Sequence, residues 1–198
     1  MMRTMARIAG VMTLILALGA HAQSTAPDAL VKNTMDEMLA VIKLTKDQRA
    51  LVDLAEKKIV TYFDFKEMTR LATGRAWSQA TAAQQQALER VFRTLLVRTY
   101  TTALAQTTAD HTVEVKPLTL KPGDTETVVR TLLKEPGKKP VPIDYRMTST
   151  PGGWKVYDVV VENLSIVTNY RSSFQSEINR SGIDGLIKVI ETKHQKES

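Results

Sequence analysis

The chain reads as a single α+β domain, and three observations carry that reading. Apolar residues recur at helical spacing up to about residue 106. Between residues 113 and 161 the period shortens to two, broken by Pro- and Gly-rich turns. Helical spacing then returns to the end of the chain. Helices followed by a meander and then helices again make a layered α+β domain rather than an alternating α/β one.

The first helix spans Ala29 to Leu44, with Leu30, Met35, Met38, Leu39 and Ile42 on one face. A second runs from Lys46 to Tyr62. A third runs from Asp64 to Thr73, with Asp64 as N-cap and Glu67 three residues on, and Gly74 ends it. Thr81 and Gln84 form a capping box at the head of the longest helix, Thr81 to Gln106. Its apolar stripe is Leu88, Val91, Phe92, Leu95, Leu96, Tyr100 and Ala103, while Glu89 and Arg93 are spaced to pair on another face.

Val113 and Val115 then alternate with charged residues. A second strand covers Thr125 to Lys134, and Glu135 to Pro140 is a turn. Val141, Ile143, Tyr145 and Met147 mark the third strand, Thr150 to Gly153 the next turn, and Trp154 to Val161 the fourth strand. Links this short require antiparallel pairing. Leu164 to Arg180 is helical, Ser181 and Gly182 interrupt it, and Asp184 is placed to cap a last helix.

The N-terminus bears on compartment. Arg3 and Arg7 precede an apolar run thirteen residues long, Ile8 to Ala20, and Ala20-His21-Ala22 has the small-x-small form of a cleavage site. This is the layout of a secretory signal peptide over residues 1–22, with residues 23–198 as the mature domain. The apolar run is shorter than the ~20 residues that span a bilayer. Without Arg3 and Arg7 the chain keeps 25 basic residues against 21 acidic, a net +4. A basic balance suits nucleic acid, but export directs the reading to anionic membrane surfaces or acidic protein patches, with no nucleic acid.

Catalytic chemistry is poorly supplied. The chain has no cysteine, and past the leader only His111 and His194 remain, without metal-ligand spacing. No G-x-S-x-G elbow and no phosphate-cradling glycine loop is present, so neither a catalytic residue nor a metal site is expected. One enzymatic possibility stands: Asp158 in an apolar strand, with Tyr145 and Tyr157 nearby, resembles the acid and donor set of an isomerase with a cone-shaped pocket. The competing reading pairs Asp158 with Arg146 or Arg130 across the sheet. The fourth strand is apolar on both faces, with Trp154, Val156 and Val160 on one and Tyr157, Val159 and Val161 on the other. Such a strand is covered by helices on both sides, or lines a ligand on one.

Three blocks carry a family resemblance: Tyr62 to Leu71, continuing through Gly74, Arg75 and Trp77 into the Gln84–Tyr100 helix; Gly153 to Asp158, with Val161 to Ser165 and Asn169 to Phe174; and Gly182 to Ile187. Together they resemble the MlaC family, the toluene-tolerance auxiliary proteins of ABC transport. The resemblance implies a curved antiparallel sheet of four strands or slightly more, of nuclear-transport-factor-like type, packed with helices around an apolar pocket. It implies a periplasmic phospholipid shuttle that maintains outer-membrane lipid asymmetry, with lipid as cargo and no cofactor. The implied partners are an inner-membrane ABC transporter's substrate-binding ring and an outer-membrane lipoprotein–porin complex. Two acyl chains in the pocket would need a volume at or above the upper end of the usual ~300–1,000 Å³. From patterning, the sheet is expected to supply Val115, Val129, Tyr145, Met147, Trp154, Val156 and Val160 to the pocket. The helices are expected to supply Phe92, Leu96, Tyr100, Val167 and Tyr170. A filled-core envelope interaction protein is the non-carrier reading. Arg90, Arg93, Lys138 and Lys139 are candidate docking residues, the last two at a turn tip.

Overall fold

Helix α1 (Pro27–Leu44) opens the computed structural model, which describes residues 25–44, 47–105 and 110–196. The expected leader, residues 1–22, lies outside the described residues. Pro27 occupies the first helical position, where a missing N–H costs nothing. Helix α2 (Gln48–Leu54), capped by Asp47, runs on through a π-helical turn, Ala55–Ile59, and a 3₁₀ turn, Val60–Tyr62. The stretch expected as one helix is therefore one helical path that widens midway.

Helix α3 (Phe65–Thr73) starts where the Asp64 carboxylate accepts the Glu67 N–H at 2.9 Å. Gly74 ends it at φ 58°, ψ −127°, a conformation open to glycine. The short α4 (Arg75–Gln79) follows, and α5 (Ala82–Ala105) begins at the expected Thr81/Gln84 box, both arms of which form. The Glu89–Arg93 pairing is replaced: Arg93 reaches across to Glu56 on the π turn, and Arg90 to Glu191.

The sheet has five antiparallel strands in sequential order: β1 (Thr112–Val115), β2 (Glu126–Lys134), β3 (Val141–Thr150), β4 (Gly153–Val161) and β5 (Leu164–Ser165). The two residues of β5 were expected in a helix. They pair with Val160 and Val161 across a turn in which Glu162 and Asn163 take positive φ. Helix α6 (Ile166–Lys196) follows directly, and Gly182, at φ 73°, kinks it where Ser181 and Gly182 were expected to interrupt.

A β-bulge shapes the sheet. Arg146 lies opposite Asp158, but Met147 lies opposite Val156, so Tyr157 is the extra residue. Bulges bend the strand and re-aim the side chains beyond them. Val129, Tyr145 and Val159 share a face through register, as do Met147 and Val156, so the inward set on β4 changes from even to odd numbers past the bulge.

Two apolar cores result. The larger joins α3, α5 and α6 around fully buried Phe92, which meets Tyr170 and Phe174 edge-on at centroid distances of 5.2 and 5.1 Å. The smaller seats Val31 of α1 on Val129, Met147, Trp154 and Val156. The second clasp on β4 is Phe63, bridged in parallel to Val156 just ahead of α3.

Candidate functional site

Between the two cores the packing opens into a cavity of about 410 Å³. The odd-numbered face of the sheet forms its floor, with Val113 from β1, Thr131 and Leu133 from β2, Ile143 and Tyr145 from β3, and Val159 and Val161 from β4. One wall is α1 with the π turn and the start of the 3₁₀ turn: Met35, Met38 and Leu39 with Ala55, Ile59 and Val60. The other wall combines Phe63, Phe65 and Met68 with Leu96, Val97, Tyr100 and Thr101 of α5 and Ile166 at the head of α6. The volume falls in the lower half of the usual range for ligand pockets, below the size expected for two acyl chains.

Among the described residues, the lining contains no charged side chain. Its threonines are turned onto the backbone: Thr101 Oγ1 donates to the Val97 carbonyl at 2.7 Å, and Thr131 Oγ1 to the Ile143 carbonyl at 2.8 Å. Two phenols remain. Tyr145 donates its hydroxyl to the Met35 sulfur at 3.2 Å, and burial pushes its pKa well above the usual tyrosine value. Burial also raises Tyr100, to about 12, helped by Tyr170 once that phenol ionises and by the Asp158 carboxylate. Both therefore stay neutral in the physiological range. Such a cavity recognises hydrocarbon by area and shape. Met35, Met38 and Met68, each unbranched with several rotatable bonds, let its walls follow chains of different shape.

The structure distributes the twelve sequence-nominated residues among four places. Leu96, Tyr100 and Tyr145 line the cavity. Val129, Met147, Trp154 and Val156 share the floor's face but lie further along it, sealed under α1, with Val115 packed at their margin. Phe92 and Val167 are buried in the helical core, with Tyr170 against it. Val160 points the other way from its neighbours Val159 and Val161, which line the cavity, because the bulge at Tyr157 reverses the alternation on which the nomination of Val160 rested. The contribution of α1 and the π turn was missed altogether. Its only sequence signal was the run of methionines on the inner face of α1, which also suits ordinary core.

Asp158 is the other sequence candidate, and its partners define its role. It is 2% exposed; it accepts the Ser165 hydroxyl at 2.7 Å, the Val167 N–H at 3.2 Å and Arg146 Nη1 at 3.2 Å. Ser165 Oγ in turn accepts the Thr168 N–H at 3.0 Å. The carboxylate ties β4, β3 and the first turn of α6 together, where a negative charge also suits the helix dipole. Among the paired readings, the one with Arg146 is what the geometry shows.

The fold and cavity define a class: an α+β binding protein with an apolar internal pocket. The chain belongs to the MlaC protein family, whose model matches residues 32–192. Among solved structures it is similar to a phospholipid-binding protein from Ralstonia solanacearum in complex with a phospholipid. The two share 39% identity with a TM-score of 0.78, over 87% of this chain and 98% of the other.

Proposed function

We propose that this protein is a periplasmic phospholipid carrier that accepts lipid from one membrane complex and delivers it to another without chemical change. The observation that carries the reading is the uncharged cavity between the concave sheet face and α1, in a chain whose 39%-identical relative holds a phospholipid. About 30 acyl methylenes at ~0.8 kcal/mol each would cost on the order of 24 kcal/mol to expose to water. An escorting pocket removes that barrier, and it need only match a bilayer in affinity to exchange lipid with one. Direction then comes from the partners: an inner-membrane ABC transporter with its substrate-binding ring and an outer-membrane lipoprotein–porin complex, together maintaining outer-membrane asymmetry.

Export is supported by the basic, apolar and small-residue pattern of residues 1–22. No described helix is long and apolar enough to cross a membrane. The non-enzymatic reading is supported by the engagement of Asp158 with Arg146, Ser165 and the α6 backbone, which takes it out of use as a base.

The test is mass spectrometry of an organic extract of the purified protein, with uptake from liposomes measured after delipidation. Stoichiometric phospholipid is expected. Protein that neither co-purifies with lipid nor acquires it from liposomes would remove the carrier reading.

A further inference from the structure

Outside the cavity, on the far side of the α1–π-turn seam, lies a second and polar hollow of about 170 Å³. Asn33, Thr34 and Glu37 of α1 line one side, and Lys58 and Tyr62 the other. Met38 and Ile59 line both this hollow and the apolar cavity, so a partition two side chains wide separates them. Ile59 belongs to the π turn, a helical form that is rare and frequent at functional sites. Met38 is the most easily rearranged apolar side chain available for such a partition.

We propose that this hollow is the head-group site for the lipid whose chains occupy the cavity, and that it selects zwitterionic head groups bearing a primary amine. The inference rests on the carrier reading above. Across the hollow, Lys58 Nζ faces Glu37 Oε2 at 3.1 Å, joining the two helical segments, and both side chains are more than half exposed. A phosphoethanolamine group carries the complement of that pair: its phosphodiester takes Lys58 and its ammonium takes Glu37. The pair opens and each charge exchanges one partner for another, so neither is left alone. Thr34 Oγ1 already donates to the Leu30 carbonyl at 2.8 Å and offers only lone pairs inward, which suits an ammonium donor. A phosphatidylglycerol head group satisfies Lys58 but places Glu37 beside a group with no cation to meet it. Met38 and Ile59 would then part around the glycerol region, with polar atoms on one side and hydrocarbon on the other.

The experiment loads delipidated protein from vesicles of equal phosphatidylethanolamine and phosphatidylglycerol, and reads head-group ratio and total lipid per protein by mass spectrometry. Wild type is expected to enrich the ethanolamine lipid about two- to fivefold, the range of one exposed charge pair. Glu37→Gln should bring the ratio to near unity by lowering ethanolamine-lipid loading about two- to fivefold while phosphatidylglycerol loading is kept, and Lys58→Met should lower the retention of both lipids by a similar factor. Free O-phosphoethanolamine and inorganic phosphate, lacking chains, should not displace bound lipid. Equal loading of the two lipids by wild type, or an unchanged ratio in Glu37→Gln at normal total lipid, would overturn the head-group assignment and leave the carrier reading standing. Absence of any lipid in wild type would overturn both. Thermal midpoints of the variants, expected within a few degrees of wild type at exposed positions, confirm that the comparison is between folded proteins.

Discussion

Filling the cavity with an indole separates open space from packed core at neighbouring positions of one sheet face. Val159 lines the 410 Å³ cavity, whereas its row-mate Val129 is fully buried under α1. At Val129, Trp has nowhere to go: overpacking costs about 1–3 kcal/mol. For a chain of this length that lowers the thermal midpoint by about 2–12 °C. At Val159 the indole enters the cavity, and the midpoint of the delipidated protein should move by no more than about 2 °C, as for a change within ~0.5 kcal/mol. The indole would, however, exclude about four methylenes of an acyl chain. At ~0.8 kcal/mol each this is roughly 3 kcal/mol, or about two orders of magnitude in lipid affinity. Val160→Trp, on the opposite face, should leave lipid loading intact. The assay is phospholipid extracted per protein, paired with calorimetry after delipidation. If Val159→Trp unfolds as readily as Val129→Trp, or carries a full complement of lipid, then the cavity is not where the chains reside.

Asp158→Asn keeps an acceptor for the Val167 N–H but loses the charge facing Arg146, which is 46% exposed and can rehydrate. A loss of about 1–2 kcal/mol with unchanged lipid content is expected by denaturant titration, and a normal fold that has lost lipid transfer would return Asp158 to a functional role. Tyr100 and Tyr145 hold their protons past the ordinary value near ~10, so the unfolded chain ionises first. Stability from these residues is full below pH 10 and falls as pH rises toward 12; phenolate absorbance and thermal midpoints between pH 9 and 12 check this, and ionisation of every tyrosine near pH 10 in folded protein would contradict it. Gly74→Ala should cost about 1–3 kcal/mol in chemical denaturation, because φ 58°, ψ −127° is strained for a side chain and the new Cβ would meet Arg171 Nη2 at 3.3 Å. For docking, Arg90 and Arg93 are tied across the fold to Glu191 and Glu56, whereas Lys138 pairs within its own turn, with Glu135, and both Lys138 and Lys139 are exposed, which makes that turn the better trial. Reversing both lysines should slow lipid delivery to a reconstituted transporter at low salt without altering bound lipid, and equal delivery would remove the turn from the docking surface.

Much of the architecture was legible because its signals are local. The Asp64 cap, the Thr81/Gln84 box, the stop at Gly74 and the break at Gly182 each act over a few residues, and the structure realises them, Gly182 as a kink. The return arm from Glu67 to the Asp64 N–H is missing, because Glu67 pairs with Arg70 and that N–H donates to the Val156 carbonyl. The four long strands follow from alternation between Pro- and Gly-rich turns. β5 escaped because two residues carry no period, and Glu89–Arg93 failed because Glu56, distant in sequence, offers Arg93 a competing partner.

The cavity was legible only as an apolar surplus. Its occupants and the core's are the same residue types, so composition cannot say whether Val129 or Val159 faces open space. The distinction depends on how far along β2 and β4 helix α1 lies, which is a matter of packing between segments a hundred residues apart. The bulge at Tyr157 then reversed the parity from which Val160 was nominated, and a bulge arises from register between two strands rather than from either one. Period and capping reside in neighbouring residues and can be read in order along the chain. Empty volume belongs to no residue, and exists only once α1, the π turn, α5 and the sheet are held apart by the two cores that flank it.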